Sequence, residues 1–400
     1  MFDGFIRVAA VTPKIRVANC DYNASQIISL IKKAADEDVR LVCFPELCIT
    51  GYTCGDLFLQ NELIENAKNA LRKIVEETKN CNVIAVAGLP LTYFGKLFNV
   101  AAVFCGGEIL GFVQKTFIPD YGEFNELRYF APAFQKTECA YFGDTDYEFK
   151  CIHGGHISFG RDFVFRCGKI PEFRLSVEIG EDLWSSNPPS LSHAAANATI
   201  IANISASSEI IGRAAQRRSL VTSQSSRLLC GYIYTNAGHG ESTTDAVFSG
   251  HNLICERGKI LAESAPFGDG WAVSEIDLNA ISHDRRRTNT FISNSRLAAD
   301  IECYAYENFS LKGKTYAETL TRKISSTPFI PENEISARCE EILQIQSAGL
   351  TKRLEHLNTK AVLGISGGLD STLALLVSVR AYEKIGRPKN EIVAVTMPCF

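Results

Sequence analysis

The chain has 400 residues, 46% of them hydrophobic and 22% charged, ordinary proportions for a globular protein with room for two domains. Its formal net charge of −4 gives no broad attraction to nucleic acid or anionic membrane, so small anionic ligands would need local pockets. The N-terminal MFDGFIRVAAVTPKIRV lacks a basic segment leading into a long apolar one, no later run approaches a membrane span, and the 14 cysteines are scattered without paired metal spacing. A cytoplasmic protein with mostly reduced core thiols, and no nucleic-acid or membrane partner, is expected.

In chain order, IRVAAVTP, RLVCFPELC, NVIAVAGLP and FNVAAVFCGG are short apolar runs with β-branched residues, the composition of buried strands. Between them, residues 24–36 and 62–79 repeat apolar positions at three and four, predicting helices and an α/β layering. Beyond Phe130 the pattern is strand-like through FRLSVEIGEDLW, ATIIANISAS, YIYTNAGHG, HNLICERGKIL and WAVSEIDL, which predicts two sheets covered by helices. A first domain over 1–285 is expected to end where ISHDRRRTNTFISNSR turns polar and basic. A linker over 286–330 follows, closing on the prolines of STPFIPENE. Then come a helix over Ile335–Leu357, the strand AVLGI, a glycine turn, a further helix and the strand candidate EIVAVTMPCF. This second domain, 331–400, is too short for an independent doubly wound sheet and is expected to be incomplete.

In GISGGLDST, Gly367 and Gly368 allow a tight turn and close backbone approach to a ligand, while the next helix presents unpaired N–H groups. Ser366, Ser371 and Thr372 add hydroxyls, so phosphate or pyrophosphate is the natural ligand. A lone glycine pair would serve geometry only, and there is no Gly-Lys-Ser/Thr ending of a Walker A loop. The full string SGGLDS resembles the pyrophosphate-binding loop of the N-type ATP pyrophosphatases. Upstream, Glu46 in CFPELCITGY follows a strand and is a candidate general base, and Lys115 in FVQKTFIPDYGEF is a cation placed to stabilise an oxyanion. Each alone reads equally well as a surface charge. Taken with their surroundings, PELCITGYTCGDLF, KTFIPDYGEF and VEIGEDLW resemble the three signature regions of the nitrilase superfamily in its glutamine-dependent NAD synthetase branch. YTNAGHGESTTDAVFSGHNLI, EEILQIQSAGLTKRLEH and GISGGLDSTLALL extend the resemblance, in order, over nearly the whole chain.

That resemblance implies an α/β fold: a nitrilase-like α-β-β-α sandwich followed by the beginning of a doubly wound parallel-sheet domain. It also implies a carbon–nitrogen ligase. Glutamine hydrolysis would supply ammonia for the ATP-dependent amidation of deamido-NAD through an adenylated intermediate, with magnesium on the ATP and no prosthetic group, in a homo-oligomer. By the same resemblance Glu46 is the general base and Lys115 the oxyanion cation, while the nucleophilic cysteine is expected at position 180. Here that position is Gly180, and a glycine has nothing with which to form a thioester. Cys151 and Cys167 precede the site but would need large displacements to substitute. Tyr52, Tyr121 and Phe124 would line the glutamine pocket, Glu181 would meet the α-amino group, and Ser207 and Arg213 would fix the ligand, Arg213 pairing with its carboxylate. Ser366, Gly367, Gly368, Asp370 and Ser371 would hold ATP, with Asp370 also a candidate magnesium contact or helix-capping acid. His239 and His251 read as structural, and Arg285 to Arg287 as a solvated linker run rather than a nucleotide or subunit contact. With Gly180 and a second domain of this length, little or no NAD synthesis is expected of the chain as written. The rival reading is a catalytically dead nitrilase-like binding or assembly subunit; a stand-alone amidase is disfavoured by the SGGLDST turn.

Overall fold

The computed structural model describes residues 3–134, 138–141, 156–293, 304–313, 316–330 and 334–397. They form two units, Met1–Arg322 and Lys323–Phe400. In the first unit, β1 (Phe5–Val11), β2 (Leu41–Cys43), β3 (Ile84–Tyr93), β4 (Lys96–Cys105), β5 (Glu108–Gln114), β6 (Glu138–Tyr141) and β7 (His156–Gly160) belong to one sheet. A second sheet contains β8 (Phe163–Cys167), β9 (Arg174–Ile179), β10 (Ile200–Ser205), β11 (Gly231–Asn236), β12 (Leu253–Glu256) and β13 (Lys259–Glu263). β14 (Trp271–Asp277) returns to the first sheet and β15 (Ala305–Phe309) to the second, giving the orders β14-β1-β2-β3-β4-β5-β7-β6 and β13-β12-β11-β10-β9-β8-β15.

Strand periodicity divides the apolar residues into three layers. Val8, Ala10, Leu41, Cys43, Ile84 and Val86 face Val177, Ile179, Ile200, Ala202, Ile204 and Ile233 in a core between the sheets. Their neighbours Ala9, Val11, Val42, Ala85 and Ala87 point the other way. There they meet Ile27, Ile28 and Ile31 of α1 (Cys20–Asp36) and Leu63, Ala67, Leu71 and Ile74 of α2 (Asn61–Glu77). On the second sheet Ile201, Tyr232, Tyr234, Leu253 and Cys255 pack with residues of α3 (Ser190–Ala195) and α4 (Arg213–Arg227). This is the expected α-β-β-α order. Each fully buried Leu, Ile or Val contributes about 1.5–3 kcal/mol, so both faces of both sheets are heavily stabilised. α1 begins four residues before the periodic stretch because the Asn19 side chain accepts from Tyr22 N–H at 3.0 Å and caps it.

Two sequence expectations are revised. The stretch 286–330, expected to be a linker, carries structure: α5 (Leu278–Arg287) and α6 (Asn289–Ser293) follow β14 closely, and β15 pairs in parallel with β8. Beyond it, Ala317 N–H bonds Phe5 carbonyl at 2.9 Å, and Thr321 and Arg322 bind Glu275 and Glu256. Polar composition here serves edge pairing and ion pairs, and the division between units falls after Arg322. Nor is Arg285 solvated: it is 6% exposed and donates to the carbonyls of Leu228, Leu229 and Ala198 at 3.1, 2.9 and 2.6 Å. It satisfies carbonyls at the end of α4, which the helix itself leaves without partners. Arg286 and Arg287 are exposed.

The second unit contains α7 (Ile335–Leu357), β16 (Val362–Gly364), α8 (Leu369–Lys384) and β17 (Val393–Val395). The two strands are parallel, and Leu354, Ala381 and Tyr382 form their small core. Among the described residues no helix is long and apolar enough to cross a membrane.

The turn after β2 lies directly against β3. A Cβ at Gly88 would stand 2.2 Å from Leu47 N and 2.8 Å from Pro45 O, so only glycine allows the Pro45–Leu47 backbone to cross there. We expect Gly88→Ala to destabilise the chain by about 3 kcal/mol, the upper end of the usual cost of overpacking, measured by denaturant unfolding.

Candidate active site

Glu46, Lys115 and Gly180 lie just beyond the C-terminal ends of β2, β5 and β9. Two strands come from one sheet and the third from the other, so the sandwich itself brings the three residues together. Glu46 and Lys115 are 1% and 2% exposed, which removes the reading of either as a surface charge. Lys115 Nζ donates to Glu46 Oε1 at 2.6 Å and to both oxygens of Glu126, at 2.6 and 2.8 Å. Glu46 also accepts from Asn99 Nδ2 on Oε1 at 2.7 Å and from Ala206 N–H on Oε2 at 2.9 Å. Tyr52 hydroxyl donates to Glu126 at 2.8 Å.

Burial alone would lower the Lys115 pKa, but Glu126 and Glu46 outweigh it and hold the ammonium protonated well above its usual range. Two carboxylates share this one cation. Burial, opposed by Lys115 and assisted by Glu46, pushes Glu126 up to about 7. Burial and Glu126 raise the Tyr52 phenol well above its ordinary value.

Gly180 opens a short 3-10 helix, Gly180–Leu183, with φ of +51°. A strand-to-helix turn in this left-handed conformation suits the exposure of a nucleophile. A Cβ built there would meet Glu46 Oε2 at 2.5 Å and Lys115 Nζ at 3.2 Å. Any side chain at this position is therefore aimed at both groups. Asp182 fixes the turn by accepting from Ile179 N–H at 3.0 Å, Phe117 N–H at 2.8 Å and Thr116 N–H at 3.1 Å, tying it to the chain just after Lys115. Asn203 Nδ2 holds the Gly180 carbonyl at 3.3 Å.

A small cavity is lined by Glu46, Lys115, Phe124, Glu126, Gly180, Glu181, Trp184, Ser205, Ala206 and Ser207. Phe124, Glu126 and Ala206 also line a larger cavity of about 290 Å3, with Tyr52, Phe58, Glu123, Tyr129, Ser208 and Phe248. The structure thus gathers Glu181, Phe124 and Ser207 directly at the Gly180 end and puts Tyr52 in the adjoining space. Tyr121 hydroxyl bonds the Glu181 carboxylate, and its ring meets Phe124 edge-on at 5.5 Å. Burial raises Glu181 above its usual value. Arg213, at the start of α4, lies over the Trp184 ring at 5.1 Å and 4.0 Å from Glu123, with its Nε unpartnered.

Sequence reasoning missed Glu126, Asn99, Asp182 and Glu241. Glu241 is 1% exposed and accepts from the backbone N–H groups of Tyr52 and Thr53 at 2.7 and 3.1 Å, which positions Tyr52. The available signals were a second carboxylate in the segment after Lys115 and the acidic residues inside two motif words. Cys167 is packed in the inter-sheet core, no described cysteine lines either cavity, and Cys151 lies outside the described residues. His251 sits between Arg217, at 2.7 Å, and Glu263, at 2.5 Å, as part of a structural network; His239 is exposed.

In the second unit, Ser366 to Ser371 cross from β16 into α8. Gly367 has φ of +83°, Ser371 and Thr372 hydroxyls donate to Gly368 carbonyl at 3.0 and 2.9 Å, and Ser366 Oγ is 3.3 Å from Ser371 Oγ. The turn and the first α8 amides are exposed, and Asp370 lies in the first helical turn. Among the described residues no three metal-ligating side chains cluster.

The fold and the Glu–Lys pair define a class. The carbon-nitrogen hydrolase family profile matches residues 7–286. A glutamine-dependent NAD(+) synthetase of Mycobacterium tuberculosis is 37% identical over 99% of this chain and 58% of its own length. One from Aquifex aeolicus is 26% identical over 96% of this chain and 59% of its own. Among solved structures, the Cytophaga hutchinsonii glutamine-dependent NAD(+) synthetase superposes with a TM-score of 0.58 at 23% identity, covering 95% of this chain and 52% of that one. A Saccharomyces cerevisiae member of branch 10 of the nitrilase superfamily superposes at 0.54 and 17% identity, covering 72% of this chain and 95% of that one. The chain belongs to the carbon-nitrogen hydrolase family, and over nearly its whole length it is similar to glutamine-dependent NAD(+) synthetases. It spans about 58% of the length of the mycobacterial relatives it matches.

The raised Glu126 carboxyl has a consequence for stability. Its folded pKa of about 7 exceeds the ordinary 4.5, so the folded state binds the proton more tightly and the group favours folding most below pH 4.5. That contribution declines as pH rises to 7 and levels off above. We expect the stability of the chain relative to its Glu126→Gln variant to fall across pH 4.5–7, measured by denaturant unfolding of both.

Proposed function

We propose that the first unit is the glutamine-hydrolysing half of an NAD synthetase, with its catalytic frame intact and its nucleophile missing. The observation that carries this reading is the convergence of Glu46 Oε2 and Lys115 Nζ on the point where a residue-180 Cβ would lie, 2.5 and 3.2 Å away. With cysteine at 180, Glu46 would take the thiol proton and Lys115 would stabilise the oxyanion as the thiolate attacks the carboxamide. Glu126 holds Lys115 in place from the far side. Arg213 pairs with the substrate α-carboxylate and Glu181 with its α-amino group, between Phe124, Tyr52 and Tyr121, while Ser207 closes the reacting end.

In the whole reaction, ammonia from glutamine reaches a site where ATP adenylates the nicotinate carboxylate of deamido-NAD, and ammonia displaces AMP. The products are NAD, AMP, pyrophosphate and glutamate. Ser366, Gly367, Gly368 and Ser371 would bind the phosphates through the glycine turn and the α8 amides. Asp370 is the carboxylate beside this turn. One acid without a ligand cluster suits a magnesium ion carried mainly on the phosphates.

Gly180 itself favours a second reading, a binding or assembly subunit. Glutamate release by this chain and its Gly180→Cys variant separates the two, with glutamine binding followed in both. The φ of +51° costs a non-glycine residue about 1–2 kcal/mol, and Glu46 must shift slightly to admit the Cβ, so the variant should fold with modestly lower stability. We expect it to release glutamate faster than its parent by at least about 10³-fold, a cautious fraction of the roughly 10⁶-fold that loss of the nucleophile costs an acyl-transfer enzyme. Equal silence in two folded, glutamine-binding proteins would favour the binding subunit.

A further inference from the structure

We infer that this chain hydrolyses the glutamine carboxamide directly, without a covalent intermediate, using a water molecule held beside Gly180 by Glu46 and Lys115. The inference rests on the glutamine-hydrolysing reading of the site and adds a reaction that needs no thiol.

The missing side chain leaves the ends of the frame intact. The small cavity between Gly180, Glu46 and Lys115 has a volume of about 10 Å3. A single water needs roughly 10–15 Å3 and two to four polar partners. The cavity therefore stands at the lower edge of room for one water, and its walls carry the Glu46 carboxylate, whose Oε2 also accepts from Ala206 N–H, the Lys115 ammonium, which is bonded to Glu46 and Glu126, and the hydroxyl-bearing Ser205 and Ser207. The walls also carry the apolar rings of Phe124 and Trp184, which keep bulk solvent from diluting the electrostatics. Among the described residues, no cysteine borders the space.

The chemistry balances with water alone. Glu46 accepts a proton from the water as its oxygen bonds to the carboxamide carbon, and the carbonyl π pair moves to oxygen, where the Lys115 ammonium stabilises it. The tetrahedral intermediate expels nitrogen, which takes the proton from Glu46 and leaves as ammonia beside a carboxylic acid; the acid then passes its proton to the ammonia, so one amide and one water give one carboxylate and one ammonium ion. Lys115 stays protonated throughout, consistent with its two carboxylate partners. The water is a weaker nucleophile than a thiolate and forms no acyl-enzyme, so the rate is that of the preorganised oxyanion and base alone. Nucleophile-deleted acyl-transfer enzymes retain about 10³–10⁴-fold acceleration over water from such groups.

The test is prolonged glutamate release by the full chain, by Gly180→Ala, by Glu46→Gln and by Gly180→Cys, with intact-mass spectrometry on acid-quenched samples and glutamine binding measured in each. The chain as it stands should release glutamate about 10³-fold faster than buffer, with no covalent adduct. Gly180→Ala adds a methyl 2.5 Å from Glu46 Oε2 and fills the water's place. It should lose at least about tenfold of that rate while still binding glutamine, although it removes no nucleophile. Glu46→Gln, folded or not, should fall to the buffer rate. An active Gly180→Cys beside a silent parent would overturn the water mechanism and leave the proposed function standing. An unchanged rate in Gly180→Ala, or an acyl adduct on any cysteine of the parent, would also overturn it. Silence in all four with no glutamine bound would remove the glutamine reading and this inference together.

Discussion

Lys115 is an ammonium group almost wholly withdrawn from water, and the rest of the site follows from what that requires. An unpaired buried cation costs several kcal/mol, recovered only when carboxylates and hydrogen bonds surround it with good geometry. Glu46 and Glu126 supply the charge, each within 2.6 Å of Nζ. Each carboxylate then brings its own unmet acceptor sites into the interior, where they too must be satisfied. Asn99 and the Ala206 amide serve Glu46, and the Tyr52 hydroxyl serves Glu126. Tyr52 is held in turn by Glu241, whose carboxylate takes the amides that open the 3-10 segment Tyr52–Leu59. The demand for hydrogen bonds spreads outward from one charge until it reaches backbone.

This network can exist only at the ends of strands. Along the sheets the inter-sheet space is filled by aliphatic side chains at every second position, which leaves no room for an ion. Just beyond β2, β5 and β9 the backbone leaves the ladder, the pleat no longer dictates direction, and charged side chains from both sheets can turn toward each other. Gly88 lets the β2 turn lie tight against β3 and so deliver Glu46 to that edge, while Asp182 joins the turn after β9 to the segment after β5. The position of the site is thus a property of the sandwich, and its chemistry a property of three turns.

The layering was legible from the sequence because period-two and period-3.6 patterns are local. So was the glycine turn before α8, whose shape depends on adjacent residues. Glu46 and Lys115 stood out only through the motif words around them, since nothing in an isolated charge following a strand says that another strand end will bury it. Glu126 and Glu241 were missed for the same reason: their burial depends on partners 11 to 189 residues away. Arg285 misled in the opposite sense. A run of three arginines looks like solvated linker, but one of them lies under the end of α4, where backbone carbonyls wait for a donor. The segment 286–330 misled similarly, because β15 gains its place by pairing with β8 rather than by an apolar pattern of its own.

Gly180 separates the support of the site from its reactivity. None of the hydrogen bonds that hold Glu46, Lys115 or Glu126 uses a side chain at position 180; they run through Asn99, Ala206, Tyr52 and one another. The turn is kept by Asp182 and Asn203, which bind backbone groups, and a glycine adopts the +51° conformation more readily than a residue with a side chain. A position 180 without a side chain therefore costs the fold little and leaves a charged, preorganised pocket. Such a pocket is stable for its own electrostatic reasons, so its presence is not by itself evidence of a covalent reaction.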